Sequence, residues 1–589
     1  MNKLLLPIKN HALTQPDHPA LLTITGDTIT YRQLIHRING FAASITKATS
    51  IGARIGIVLP SDEKAALSFL SVTACGVAAP LNPKLTRDEL IKLIDLLHLQ
   101  CILTTSDPAF QHAVLAAETC RIPCLFWEEL VQQFVPETME LPDNRPDDAT
   151  LLLLHTSGTT AAPKIVPLSA NNLAASSRNI THTLQIQPSD RCLNVMPLFH
   201  IHGLMAGLMA SLSAGASVIC SPGYHGVHFF EWLKDLQPTW YTAVPTIHQA
   251  VLERVKQNQQ LIKGHRLRLV RSSSSSLSPQ TFHEMEEFFH VPMIEAYGMT
   301  EAAHQIASNP LPPAMRKPGS VGQPGGPEIA IADAQAPVLL DRQQRGEIVI
   351  RGENVINGYE NNPQANLKNF FDGWFRTGDE GFFDNDGYLC ISGRIKELIN
   401  RGGEKITPRE IDEAILNYPN VQQAVCFAIP HPQYGEVVGA VIKTNDPNMT
   451  QKQVQDYLQD KLADYKIPVV IKFVDSIPTG PTGKIQRIFL AQALSLQDVF
   501  TKNSPGHQDE QFSEAYYNKM KAIWCAVFKQ EIFDINTPFL DMGGDSLLAA
   551  ELIMRINENF GVQLAIQDLF EQNTIHKLLQ KIDPEKKYK

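Results

Sequence analysis

Residues suited to group transfer cluster in a few short stretches of this 589-residue chain. In Leu540-Asp541-Met542-Gly543-Gly544-Asp545-Ser546-Leu547 a serine hydroxyl follows a Gly-Gly turn and an acid, where an apolar-periodic helix begins. Such a serine either only caps its helix or accepts a covalent group. Upstream, Thr156-Ser157-Gly158-Thr159-Thr160 follows the apolar run Leu151-Leu152-Leu153-Leu154 and precedes Lys164. Its hydroxyls and close backbone N–H groups can wrap phosphate oxygens. The GxxxxGK[ST] spacing is absent, which disfavours a P-loop nucleotidase.

The elements that must hold these residues are legible as alternation. Apolar runs at Arg54 to Leu59, Leu151 to Leu154, Ala216 to Cys220 and Leu267 to Arg271 alternate with longer amphipathic segments, the signature of parallel strands joined by crossover helices. The fold class is therefore α/β, in a large unit from residue 1 to 394 with an appended β region at Glu347 to Arg351 and Tyr388 to Ser392. Gly393-Arg394-Ile395-Lys396 is the expected hinge into a small mobile α/β unit spanning 395–492. A polar Pro/Gly linker follows at 493–511. Residues 512–589 read as an all-α four-helix module: a helix to about Lys529, one from Ser546 to about Phe560, and shorter ones near Ile566 and Ile575. With ten acidic and six basic residues between Phe512 and Asp583, this module is acidic.

A formal charge of -10 with no basic stripe argues against nucleic acid as a partner. The nine cysteines are scattered, with Cys120 and Cys124 the only close pair, so neither a disulfide framework nor a zinc set is visible, and a reducing, cytoplasmic setting is expected. From Cys192 to Phe230 no Lys, Arg, Asp or Glu occurs. His200, His202, His225, His228, Pro197 and Pro222 make that stretch a buried helix and strand rather than a membrane span.

The order Thr156 to Lys164, Tyr297-Gly298-Met299-Thr300-Glu301, Arg376-Thr377-Gly378-Asp379, Gly393-Arg394 and Pro481-Thr482-Gly483-Lys484 resembles the adenylate-forming superfamily of acyl-CoA synthetases, luciferases and peptide-synthetase adenylation domains. The resemblance covers nearly all of residues 1–492 and implies ATP and Mg2+. Lys484 would stabilise charge built up as a carboxylate attacks the α-phosphate. Glu301 is the implied metal ligand, with Thr300 and His200 among the implied catalytic positions. The phosphate loop would be Thr156, Ser157, Gly158, Thr159, Thr160 and Lys164. Asp379 and Arg394 would meet the ribose, and Tyr297 would offer a face to adenine. Lys396 falls at the family's hinge, and Gly402 lies in the Arg401 to Lys405 loop that resembles the one meeting the pantetheine arm. Ala161 and Ile165 stand where the family has glycine, which restricts the loop.

Amino-acid-activating members present an Asp near Pro197-Leu198-Phe199-His200; here there is none, so an α-amino acid is disfavoured. Val195 to Gly203, Thr239 to His248 and Thr300-Glu301-Ala302-Ala303-His304 are most similar to oxalyl-CoA synthetases. That implies a small carboxylic or dicarboxylic acid met by His200, Ser274 and His304. The Gly-Gly-Asp-Ser-Leu pattern resembles a carrier-protein attachment site, so Ser546 is the implied bearer of 4'-phosphopantetheine, placed there from CoA by a phosphopantetheinyl transferase. The expected activity is acyl-AMP formation followed by thioester formation on the chain's own arm, with a separate downstream acyl-accepting enzyme. The alternatives are a ligase using free CoA and a non-catalytic scaffold, against which the retained Lys484, Glu301 and Asp379 argue.

Overall fold

Arg54–Ile57, Thr150–Thr156, Ser217–Cys220 and Leu269–Ser272 are strands, each largely buried, as the apolar runs require. They belong to a computed structural model that describes residues 2–132, 145–156, 163–255, 258–478, 485–497, 499–500, 514–528, 538–539, 542 and 546–582. Among these residues the first large layer is a six-stranded sheet ordered Cys124–Phe126, Cys101–Thr104, Arg54–Ile57, Val77–Pro80, Thr150–Thr156, Lys164–Ser169, parallel except for the final hairpin. The second is a nine-stranded sheet whose centre runs Ser217–Cys220, Arg191–Asn194, Trp240–Ala243, Leu269–Ser272, Met293–Met299, all parallel.

The helices between strands begin where polar side chains satisfy the first free N–H groups. Capping boxes at Thr30/Gln33, Thr86/Glu89 and Ser169/Asn172 open Tyr31–Ala48, Arg87–Leu96 and Ala170–Leu184. The uncharged stretch is a buried helix followed by a buried strand, as expected. Its helix is π-wound over His202–Met209, with Ala210 N bonding Met205 O, a geometry that favours functional positions and leaves no periodic trace in sequence. Among the described residues no helix is long and apolar enough to cross a membrane.

A six-stranded antiparallel region follows, in which Glu328–Ala332, Gly346–Arg351, Trp374–Phe383 and Leu389–Arg394 pair in turn. The smaller α/β part is built on Ile399–Arg401, Glu404–Ile406, Val421–His431, Gly435–Thr444 and Val470–Phe473. Leu490, Leu494 and Leu496 pack into the core of this part. That core reaches past Gln492, into what the sequence marks as linker, because two leucines there find an apolar surface to bury.

Residues up to Thr501 form one compact unit and those from Lys502 another. In the second, Glu514–Phe528, Ser546–Phe560, Ile566–Glu571 and Ile575–Ile582 are the helices near the expected positions. Met520, Trp524, Leu552, Ile556, Leu569, Ile575 and Leu578 make a core of their own.

Candidate active site

Glu301 sits in a 3-10 turn, Thr300–Ala302, directly after the strand Met293–Met299. Its neighbours hold it from several directions: Ile356 N donates to Glu301 O, and Asn354 Nδ2 donates to Ala302 O and Gln305 O at 2.8 and 2.9 Å. Asn172, the partner in the capping box after the Lys164 strand, donates to Glu353 O and Val355 O, tying that helix to the same segment. The carboxylate is buried and accepts from the Tyr359 hydroxyl at 2.9 Å. Burial raises its pKa; Tyr359, Arg394 and Lys164 oppose the rise. Lys164 Nζ lies 4.3 Å from the Tyr359 ring centre, and burial beside Lys396 and Lys368 lowers its pKa against the pull of Glu301. As a hard oxygen ligand, the Glu301 carboxylate would hold a Mg2+, which would supply positive charge to shield phosphate oxygens.

Asp379 and Arg394 are partners in the antiparallel register, with Arg394 Nε 3.2 Å from Asp379 Oδ1. The other carboxylate oxygen accepts from the Tyr297 hydroxyl at 2.5 Å. Tyr297 is thus tethered to the expected ribose carboxylate, and burial together with Asp379 raises its pKa. These residues line one cavity of about 270 Å3 with Ser274, Ser275, Gly298 and, from the small part, Arg409, Glu413 and Arg487.

Where the sequence places the acyl end, the side chains come from four elements. His202 opens the π-helix, Thr242 lies on Trp240–Ala243, Arg271 on Leu269–Ser272, and His304 opens His304–Ser308. Ser274 and His304 both have left-handed backbones, φ +73° and +100°, a costly arrangement for residues with side chains. The rings of His202 and His304 stack at 4.8 Å. Arg271 is fully buried, bonded to Thr242, His304 and Gln305, and among the described residues no carboxylate pairs with it. Burial pushes its pKa down to about 9. His202 and His304 are held well below the ordinary histidine value, first by burial, with Arg271 and His200 adding to it.

The structure therefore brings Glu301, Thr300, Lys164, Tyr297, Asp379, Arg394 and Lys396 into one region, and Ser274 and His304 together around His202. His200 lies half-buried in the turn after Pro197, near enough to act on both buried rings. Gly402 lies in the hairpin between Ile399–Arg401 and Glu404–Ile406 with φ +60°. Thr156 ends its strand; Ser157, Gly158, Thr159, Thr160, Ala161 and Lys484 lie outside the described residues, as do the Gly543 to Asp545 turn and the Ser546 side chain. Sequence reasoning missed Tyr359, which no motif marks, and Thr242, His202 and Arg271. The one available signal was Arg271 itself, a charge closing an apolar strand run.

Sequence and fold both place the molecule among ATP-dependent ligases that join an acid to a thiol. Residues 8–360 match the AMP-binding enzyme family, 410–484 the AMP-binding enzyme C-terminal domain, and 518–582 the phosphopantetheine attachment site; the chain belongs to the AMP-binding enzyme family. It is 40% identical over 504 residues to an oxalate–CoA ligase of Arabidopsis thaliana, covering 82% of this chain and 97% of that protein. With an oxalate–CoA ligase of Saccharomyces cerevisiae it shares 37% over 529 residues, 82% and 96% of the two chains. The ATP-bound crystal structure of MatB from Rhodopseudomonas palustris superposes with a TM-score of 0.77 at 28% identity, covering 85% of this chain and all of that one.

Proposed function

We propose that this chain converts a small dicarboxylic acid of the oxalate class and ATP into an acyl-adenylate and pyrophosphate, and passes the acyl group to a pantetheine thiol on its own Ser546. The observation that carries the acid's class is Arg271: a buried guanidinium with no carboxylate partner among the described residues leaves net positive charge behind the acyl pocket, which a second carboxylate on the substrate would meet. The identity with oxalate–CoA ligases points the same way.

In the first step a carboxylate oxygen attacks the α-phosphorus as pyrophosphate leaves. Lys164 and Lys484 stabilise the charge that develops on the phosphates. Glu301 would hold Mg2+, which supplies a shield for the leaving pyrophosphate. Asp379 and Arg394 orient the ribose. In the second step a thiolate attacks the acyl carbon, AMP leaves, and the thiol's proton goes to solvent. Ser546 begins the helix Ser546–Phe560 of a separately packed bundle, a position where a phosphodiester's negative charge is favoured. A cytoplasmic setting, with a phosphopantetheinyl transferase and a downstream acyl acceptor as partners, belongs to the same reading.

A second reading, free CoA as acceptor, is favoured by the relatives, whose likeness spans 82% of this chain and whose names are those of CoA ligases. Intact-mass measurement after treatment with a phosphopantetheinyl transferase and CoA, then ATP, Mg2+ and acids led by oxalate and malonate, separates the two. A pantetheine increment lost in Ser546→Ala, followed by an acyl increment lost in Lys484→Ala, is expected. Acyl-CoA accumulating in solution over an unloaded arm replaces self-loading with the CoA-ligase reading.

A further inference from the structure

The partners of Arg271 form a hydrogen-bond chain with a fixed direction. Guanidinium nitrogens donate and never accept. Arg271 Nη1 lies 3.1 Å from His304 Nε2, so that ring nitrogen accepts and the ring proton sits on Nδ1. The same Nη1 lies 3.3 Å from Thr242 Oγ1. Thr242 Oγ1 has a second lone pair, but its own hydrogen is buried and, among the described residues, has no acceptor other than His202 Nε2, 2.7 Å away. His202 Nε2 accepts it, which puts that ring's proton on Nδ1, 3.0 Å from Ser274 Oγ. Ser274, accepting from His202, keeps its hydroxyl hydrogen for a partner in the cavity it lines.

We infer that Arg271 and Thr242 are positioning residues that fix the tautomers of His202 and His304 and thereby make the Ser274 hydroxyl a donor to the bound acid. The inference rests on the reading of the cavity's acyl end as a dicarboxylate site. The two rings stack at an interplanar angle of 22°, so each holds the other's plane. Both rings stay neutral, since burial and the adjacent arginine disfavour a second proton. Without the Thr242 hydroxyl, His202 is free to take the other tautomer. The Ser274 hydrogen then goes to the ring, and oxygen lone pairs face the carboxylate.

Two readouts on the full-length protein test this. Nitrogen-15 spectra of histidine-labelled protein report tautomers directly: His202 and His304 are expected to carry their protons on Nδ1, and Thr242→Val to disturb His202 while leaving His304. An Nε2–H tautomer at either ring in the unaltered protein overturns the proposal. In kinetics, Thr242→Val should raise the KM for oxalate about ten- to hundredfold, the usual loss for a hydrogen bond to a charged group, with kcat and the KM for ATP nearly unchanged. Thr242→Ser should restore it. Ser274→Ala should raise the same KM, and adding Thr242→Val to it should cost little more; fully additive effects overturn the chain. If the unaltered protein turns over a monocarboxylate in preference to every dicarboxylate, the substrate reading fails, while the tautomers still decide the relay.

Discussion

For the Mg2+ role proposed for it the Glu301 carboxylate must be ionised, yet burial works against its charge. The Tyr359 hydroxyl at 2.9 Å offsets part of that cost, and the same ring sits under Lys164. Tyr359→Phe separates the two contributions, because the ring and its contact with the lysine remain while the donor is lost. Pyrophosphate release should fall about ten- to hundredfold, the range expected when a charged buried acceptor loses a partner. The hydrogen bond lowers the Glu301 pKa, so its removal should move the acid limb of the pH–rate profile to higher pH. An unchanged limb would show that another group governs it. The sequence showed Asp379, Arg394 and Glu301 because each lies in a short local pattern. It was silent on Tyr359 and Thr242, which come to the site from distant strands and loops and are ordinary residues until the fold assembles them.

At the scale of elements, the hairpin of Met293–Met299 and His304–Ser308 sets where Glu301 and His304 stand. Its register shifts between Tyr297 and Gly298, drawing the two backbones together. A Cβ on Gly298 would lie 1.8 Å from His304 O, a main-chain atom with no rotamer to yield. Gly298→Ala should therefore destabilise the protein by about 1–3 kcal/mol or more and lower its melting temperature, with acyl-adenylate formation lost as Glu301 and His304 shift. A variant with unaltered melting and activity would mean that this close approach relaxes freely. The parallel strands were legible because strands buried on both faces read as continuous apolar runs. The return strand His304–Ser308 was not: it is buried too, but His304 and Gln305 open it with polar groups that serve the site. The π-winding of His202–Met209 escaped as well. There Gly203 and Gly207 let the helix press on Pro197 O and the Asn194 side chain, contacts made only in three dimensions.

For the molecule as a whole, the order of the motifs gave the succession of large part, small part and carrier, but not how the first two meet. Gln423 donates to Gln249 at 2.7 Å and Lys443 reaches Glu253 at 2.8 Å, polar contacts suited to a junction that opens and closes. Deeper in the same junction Glu295, on the large part, is fully buried and accepts from Leu277 N, while its second oxygen has no partner among the described residues. Burial raises its pKa from 4.5 to about 7, and Arg409 on the small part opposes the rise. The unfolded chain gives up this proton first, so the folded state binds more protons between those values. The contribution to stability is full below about 4.5 and is lost as pH rises through about 7. Glu295→Gln carries no charge at any of these pH values. Its melting temperature relative to the unaltered protein should climb from pH 5 to about pH 7 and level off by pH 8, by the equivalent of a few kcal/mol at most. Parallel melting curves across that range would mean that Glu295 is already ionised in the folded state and that Arg409 prevails over burial.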